Sequence, residues 1–193
     1  WGAIIPLYIL DDQNSGEWAM GGASRWWLHG ALQSLNQSLQ GKLNIYRGDP
    51  LAVISQLAQQ TSATSVVWNR CYEPWRIARD AKLKSVLKEQ SIEVESYNGS
   101  LLWEPWQVLK KDGTPYKVFT PYYRRRCLSA AAPRKPLPVP AKINAQYLCS
   151  DSLALAELQL LPTIPWDTSM AARWDTSETA AQDRLDEFVM QEL

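Results

Sequence analysis

Two phosphate-binding signatures are missing from this sequence. No Gly-x-Gly-x-x-Gly follows its first candidate strand, and no Gly-x-x-x-x-Gly-Lys-Ser/Thr occurs. Both motifs supply the backbone N–H groups that cradle phosphates, so a P-loop NTPase and a dinucleotide-dependent oxidoreductase are disfavoured. Histidine is nearly absent. His29 is the only one, inside a candidate helix and away from the strand ends, where a packing or helix-surface role fits better than a general base. The cysteines number three, Cys71, Cys127 and Cys149, with no Cys-x-x-Cys. An odd, scattered set supports neither a disulfide framework nor a zinc site and points to a reduced, cytosolic setting. No apolar run approaches the ~20 residues that a membrane span needs, and no signal peptide is seen. Charge excess is lacking too: 20 Lys+Arg balance 20 Asp+Glu. Nucleic-acid modules usually carry a basic surplus that neutralises phosphate. Any main DNA-contact surface is therefore expected outside this chain.

What is present suits one ordinary α/β domain with a tail. The 193 residues are 46% apolar, enough for a core. Ten tryptophans read first as core and interdomain packing, because Trp brings large buried area with one polar handle. The sharper reading is a stacking surface for a planar ligand.

Strand and helix patterns alternate through the first half. Ala3–Leu10 is an apolar run of strand length. After Gly21-Gly22, Ser24 is a candidate N-cap. Trp27, Leu28, Ala31, Leu32, Leu35 and Leu39 then recur at helical spacing, with Gly41 as the stop. Leu43–Tyr46 predicts a second strand. Asp49-Pro50 opens a second helix, whose apolar face is Leu51, Ile54, Leu57 and Ala58. Ser65–Trp68 predicts a third strand, Trp75–Glu89 a third helix and Ile92–Tyr97 a fourth strand. This order predicts βαβ units: a Rossmann-like doubly wound parallel sheet. In such sheets ligands bind beyond the carboxyl ends of the strands, here near Asp11-Asp12, Gly48-Asp49, residues 69–73 and Asn98-Gly99.

After Leu101 the alternation stops. Tyr122–Leu128 predicts a short helix carrying Arg124, Arg125 and Arg126, read as a solvated basic face. Pro133, Pro136, Pro138 and Pro140 predict an extended proline-rich interdomain linker. Leu153–Leu161 is a weak helical pattern. Thr176 or Ser177 is expected to cap a last helix with Leu185, Phe188 and Val189 on one side.

The candidate binding residue is Glu73, in Asn69-Arg70-Cys71-Tyr72-Glu73-Pro74-Trp75 just past a strand end. A carboxylate there can accept from an amino-substituted heterocycle such as a pterin, which presents N–H donors side by side. The position equally suits an ordinary acid in a helix first turn, favoured by the macrodipole. The pattern leaves both open.

Four blocks together carry a resemblance. They are Gly21 to Leu28, Val67-Trp68-Asn69 through Glu73-Pro74 to Arg79-Asp80, Leu101 to Trp106, and Gly113 to Tyr122. In this order and spacing they resemble the amino-terminal domain of the photolyase/cryptochrome family, most closely that of bacterial cyclobutane-dimer photolyases. Trp174, Glu178, Ala181, Leu185 and Phe188 resemble the entry into its helical flavin domain, although Ser177 stands where that family usually has Gly. The resemblance implies residues 1–128 as an α/β antenna domain whose first strand lies upstream, 129–175 as linker, and 176–193 as the start of the FAD-binding domain.

It also implies a second, light-harvesting chromophore: 5,10-methenyltetrahydrofolate, a deazaflavin or a flavin. Glu73 matches a glutamate that holds the pterin amino group in folate-binding members, with Asn69 and Tyr72 on the same loop. Cys71 stands where deazaflavin users carry Asp, which favours folate. FAD and UV-damaged DNA would be held by the further domain, so no catalytic residue is expected here, and the complete protein is expected to be a cytoplasmic monomer. The rivals are a cryptochrome photoreceptor and a non-photoactive nucleotide-binding α/β domain.

Overall fold

Pro6 divides the first apolar run. The strand β1 is only Leu7–Leu10, because proline has no N–H for a ladder. Ile4, on the other side of Pro6, pairs instead with Ala145: its N–H donates to Asn144 O at 2.9 Å and its carbonyl accepts from Gln146 N at 2.8 Å. This computed structural model describes residues 2–148 and 151–192. Trp1, Cys149, Ser150 and Leu193 lie outside it, as do the expectations that rest on them.

Helix α1 spans Gly22–Ser38. Ser24 is not its N-cap: the helix starts two residues earlier, with extended Gly21 in the capping position and no side-chain cap. Glycine is itself among the favoured N-cap residues. The helix ends in two left-handed residues, Gln40 (φ +56°) and Gly41 (φ +77°), with Gly41 N–H donating to Asn36 O at 2.8 Å. Strand β2 (Asn44–Arg47) lies parallel to β1, with Leu7 opposite Asn44. Helix α2 is Pro50–Thr61.

Strand β3 (Ser65–Asn69) and strand β4 (Glu93–Tyr97) form a second parallel pair, joined by helix α3, Pro74–Glu89. The α/β order and the parallel pairing are those expected. The described strands form two two-stranded sheets.

These pairs lie in two units, residues 1–61 with 141–193, and residues 62–140. The first is cored by Leu10, Leu32, Leu43, Ile45, Leu158 and Leu160. Residues 155–158 form a 3-10 turn rather than the weakly patterned helix, and they bring Leu158 and Leu160 into that core. The segment expected as linker therefore divides. Residues 130–140 have no regular structure and are almost entirely exposed, whereas 153–160 are structural. Asn44 is fully buried. Its Nδ2 donates to the carbonyls of Pro6, Lys42 and Gln146, and its Oδ1 accepts from Leu148 N at 2.7 Å.

The second unit buries Leu83, Leu87, Ile92, Val108 and Cys127. A short helix α4 (Phe119–Tyr122) runs into a π-helical turn at Tyr123–Cys127, where one helix was expected. Arg126 donates to Gln107 O, while Arg124 and Arg125 are exposed. The last helix, α5, is Glu178–Glu192. Ser177 caps it, Oγ accepting from Ala180 N at 3.1 Å.

Candidate ligand site at the β3 carboxyl end

Strand β3 ends at Asn69, and α3 begins at Pro74. The four residues between them must leave the sheet and turn into a helix. Pro74 suits the first helical turn, where its absent N–H is not needed. Glu73 holds the capping position with extended backbone, φ −69° and ψ 137°. Its side chain makes no capping hydrogen bond. A Glu carboxylate is one methylene too long for the usual Ser/Asp/Asn cap geometry. It stays 54% exposed, with Arg76 Nη1 at 3.8 Å.

A cavity of about 670 Å³ opens here, lined by Asn69, Cys71, Glu73, Arg76, Gly99 and Ser100 among others. Asn69 reaches it because position 99 has no side chain. A Cβ on Gly99 would stand 2.5 Å from Asn69 Cγ, closer than van der Waals contact permits. The strand ends of β3 and β4 thus bring together the two loops that the sequence marks out.

The floor of the loop is a charged network. Arg70 donates through Nε to Glu104 Oε1 at 3.0 Å and through Nη1 to the carbonyl and hydroxyl of Ser96. Tyr72 Oη donates to Glu104 Oε2 at 2.8 Å. Glu104 is only 5% exposed, and its own N–H is satisfied by Gln107 Oε1 at 2.8 Å. Burial, then the bond to Glu104, pushes the Tyr72 phenol above its usual range. The Arg70 guanidinium is likewise raised against the effect of burial by its bonds to Glu104 and Tyr72. Asp80 ties the carboxyl end of β3 to α3. It accepts from Trp68 Nε1 at 3.1 Å and from Arg79 Nε at 2.9 Å.

All three sequence-predicted site residues therefore line one cavity. Asn69 and Glu73 present polar groups to it. Tyr72 has its hydroxyl engaged with Glu104. Sequence reasoning missed Glu104, which holds the loop from 34 residues away. Its only signal was an acid between Trp103 and Pro105 in an otherwise apolar block.

The first unit has a second cavity, of about 480 Å³, beside Trp26 and Trp174. Trp26, Trp27 and Trp174 meet edge to face at 6.2 and 6.0 Å. Trp26 is only 8% exposed, which fits packing, whereas Trp27 and Trp174 are 41% and 42% exposed. Among the described residues no group of three potential metal ligands occurs, and no helix is long and apolar enough to cross a membrane.

Comparison with known proteins gives consistent matches. The DNA photolyase family matches residues 2–141. A deoxyribodipyrimidine photo-lyase of Agrobacterium fabrum is 37% identical over 97% of this chain and 39% of its own length. Cryptochrome-2 of Arabidopsis thaliana is 30% identical over the whole chain and 33% of its own length. The crystal structure of a bacterial class III photolyase from Agrobacterium tumefaciens superposes with a TM-score of 0.88, at 36% identity, over 98% of this chain and 39% of that one. The chain spans about two fifths of the length of these photolyases.

Proposed function

Because this chain belongs to the DNA photolyase family, we propose that it is the light-harvesting part of a deoxyribodipyrimidine photolyase, with Glu73 and Asn69 holding a folate-type antenna. The observation that carries the reading is Glu73. It occupies a capping position, caps nothing, and lines a cavity at a strand end. A pterin edge presents two N–H donors side by side, the pattern that a carboxylate accepts. Asn69 supplies a donor and an acceptor beside it. The cavity volume is in the range of about 300–1,000 Å³ usual for small-molecule sites. The donor set thus fits the pterin end of the group.

When bound, a folate of this type supplies near-UV absorption and passes the excitation to FAD. The chain's residues then have no bond chemistry to perform. They fix the ring's place and orientation and keep water from its polar edge. Arg70, Tyr72 and Glu104 position the loop that does so. Repair of cyclobutane pyrimidine dimers by reduced FAD belongs in this reading to a further, helical domain, which would also meet UV-damaged DNA. The division into antenna domain (1–128), linker (129–175) and entry to that domain (176–193) is part of the proposal, with residues 153–160 assigned to the first unit's core. A cytoplasmic, monomeric enzyme completes it.

The test is an absorption spectrum of the complete protein, with chromatographic identification of the released cofactors. Folate together with FAD is the expected result. Glu73→Gln should lower folate occupancy about tenfold, the scale of one charge-assisted hydrogen bond, and leave repair working. Loss of repair at full folate occupancy would sink the role given to Glu73. The match of this chain to about a third of a cryptochrome supports a photoreceptor as the second reading. Bound FAD with no repair of UV-damaged oligonucleotides would select it.

A further inference from the structure

Glu73 is not the only charged group on its side of the cavity. Arg76 follows it by three residues on α3, so the two side chains are neighbours on one face. Arg76 Nη1 lies 3.8 Å from Glu73 Oε1, beyond hydrogen-bond length. The guanidinium is held in place from two directions. It lies 5.0 Å over the Trp75 ring, and Nη1 donates to Cys71 Sγ at 3.3 Å. The cavity wall therefore carries an acceptor next to a donor that is held in place.

We propose that Arg76 determines which heterocycle this site accepts, by donating to the ring carbonyl that adjoins the two N–H groups taken by Glu73. The inference rests on the reading of the cavity as a pterin-type site and gives it a selection rule. A 2-amino-4-oxo-pyrimidine edge reads donor, donor, acceptor. A carboxylate takes the two donors, and the third position then needs a donor from the protein, which Arg76 supplies. An isoalloxazine or deazaflavin edge reads acceptor, donor, acceptor. It gives Glu73 one donor only and sets a carbonyl oxygen against the carboxylate, which is repulsive and leaves a polar group unsatisfied. The pair Glu73–Arg76 thus favours the first edge over the second. Pterins and guanine share that edge, and the experiment separates them.

The complete protein, freed of chromophore, is titrated near neutral pH, where the rings are uncharged, with pterin, 2,4-diaminopteridine, guanosine and riboflavin. The wild type is compared with Arg76→Met, which keeps an apolar stem against Trp75, and with Glu73→Gln. Circular dichroism checks folding. If Arg76→Met does not fold, Arg76→Lys replaces it, since it keeps the charge and loses the planar fork. The expected result is that Arg76→Met weakens pterin about tenfold and leaves 2,4-diaminopteridine and riboflavin within twofold. Glu73→Gln should weaken pterin about tenfold and diaminopteridine less, because the uncharged diamino ring reads donor, acceptor, donor and gives the carboxylate one N–H only. An unchanged pterin-to-diaminopteridine ratio in Arg76→Met, with Glu73→Gln still weakening pterin, overturns the role of Arg76 and leaves the pterin site standing. No binding of any ring to the wild type overturns the site and this inference together. Guanosine binding more tightly than pterin supports the edge rule and removes pterin as its source.

Discussion

The two units solve the same problem in different ways. Each contains two parallel strands joined by a helix. In the first, β2 is buried at Asn44, Ile45 and Tyr46 and is covered by apolar residues from both ends of the sequence. In the second, β3 and β4 alternate between exposed and half-buried positions, and the strands are tied to their surroundings by Arg70, Asp80 and Glu104. Burial in the first unit obliges its one deeply buried amide, on Asn44, to be satisfied completely by the protein. The second unit leaves polar groups at its strand ends within reach of a ligand. The largest buried apolar cluster lies in one unit and the proposed recognition site in the other.

Three variants probe that separation. Asn44→Ala should have the largest effect. It strips partners from three carbonyls and one N–H in a buried place, and a loss of about 3 kcal/mol is expected. Hydrogen exchange should show lost protection in β1 and β2, with β3 and β4 unchanged. Equal loss in both pairs would break the comparison. Glu104→Gln comes next. It removes the charge that Arg70 and Tyr72 share. Because Arg70 is about a third exposed, the cost should be nearer about 2 kcal/mol than the larger values of fully buried pairs. The same variant should weaken chromophore binding, which Asn44→Ala, under conditions where it is folded, should not.

The smallest effect concerns His29. Burial lowers its pKa from the ordinary imidazole value. A depressed pKa means that the folded state prefers the neutral ring. Its contribution is therefore fully present above the ordinary value of about 6.5 and is lost as pH falls from there through the lowered pKa. His29→Gln should flatten the acid side of the stability–pH curve. A curve of unchanged slope would show that other groups set it.

The elements read from local pattern fall close to the observed ones. Ser65–Trp68 was expected and Ser65–Asn69 found. Trp75–Glu89 was expected and Pro74–Glu89 found. Period and caps are local, and local signals survive folding. Failures arose where the deciding partner is distant. Leu158 and Leu160 sit in a weak helical pattern, and nothing near them announces that β1 and β2 need a cover. The loop proposed to bind the ligand was legible because strand end, Pro74 and Glu73 are contiguous. Its support by Glu104 was not, since an acid among tryptophans carries no mark of the arginine that it will meet. Ser24 misled because the helix is capped three residues earlier, at Gly21, and glycine is also a favoured N-cap.

Asn44 has one more consequence, in time rather than in space. Its carbonyl partner on Gln146 and its donor on Leu148 lie more than 100 residues downstream. During synthesis the ribosome must deliver all of residues 62–140, a whole unit, before these partners exist. Domains generally fold as units in the order in which they emerge, and long-range closure is slow. The unit of residues 62–140 can therefore form on the nascent chain while the more deeply cored unit still waits for its own last segment. A pause in translation between residues 140 and 160 would prolong the stage at which the buried amide of Asn44 is still open to water.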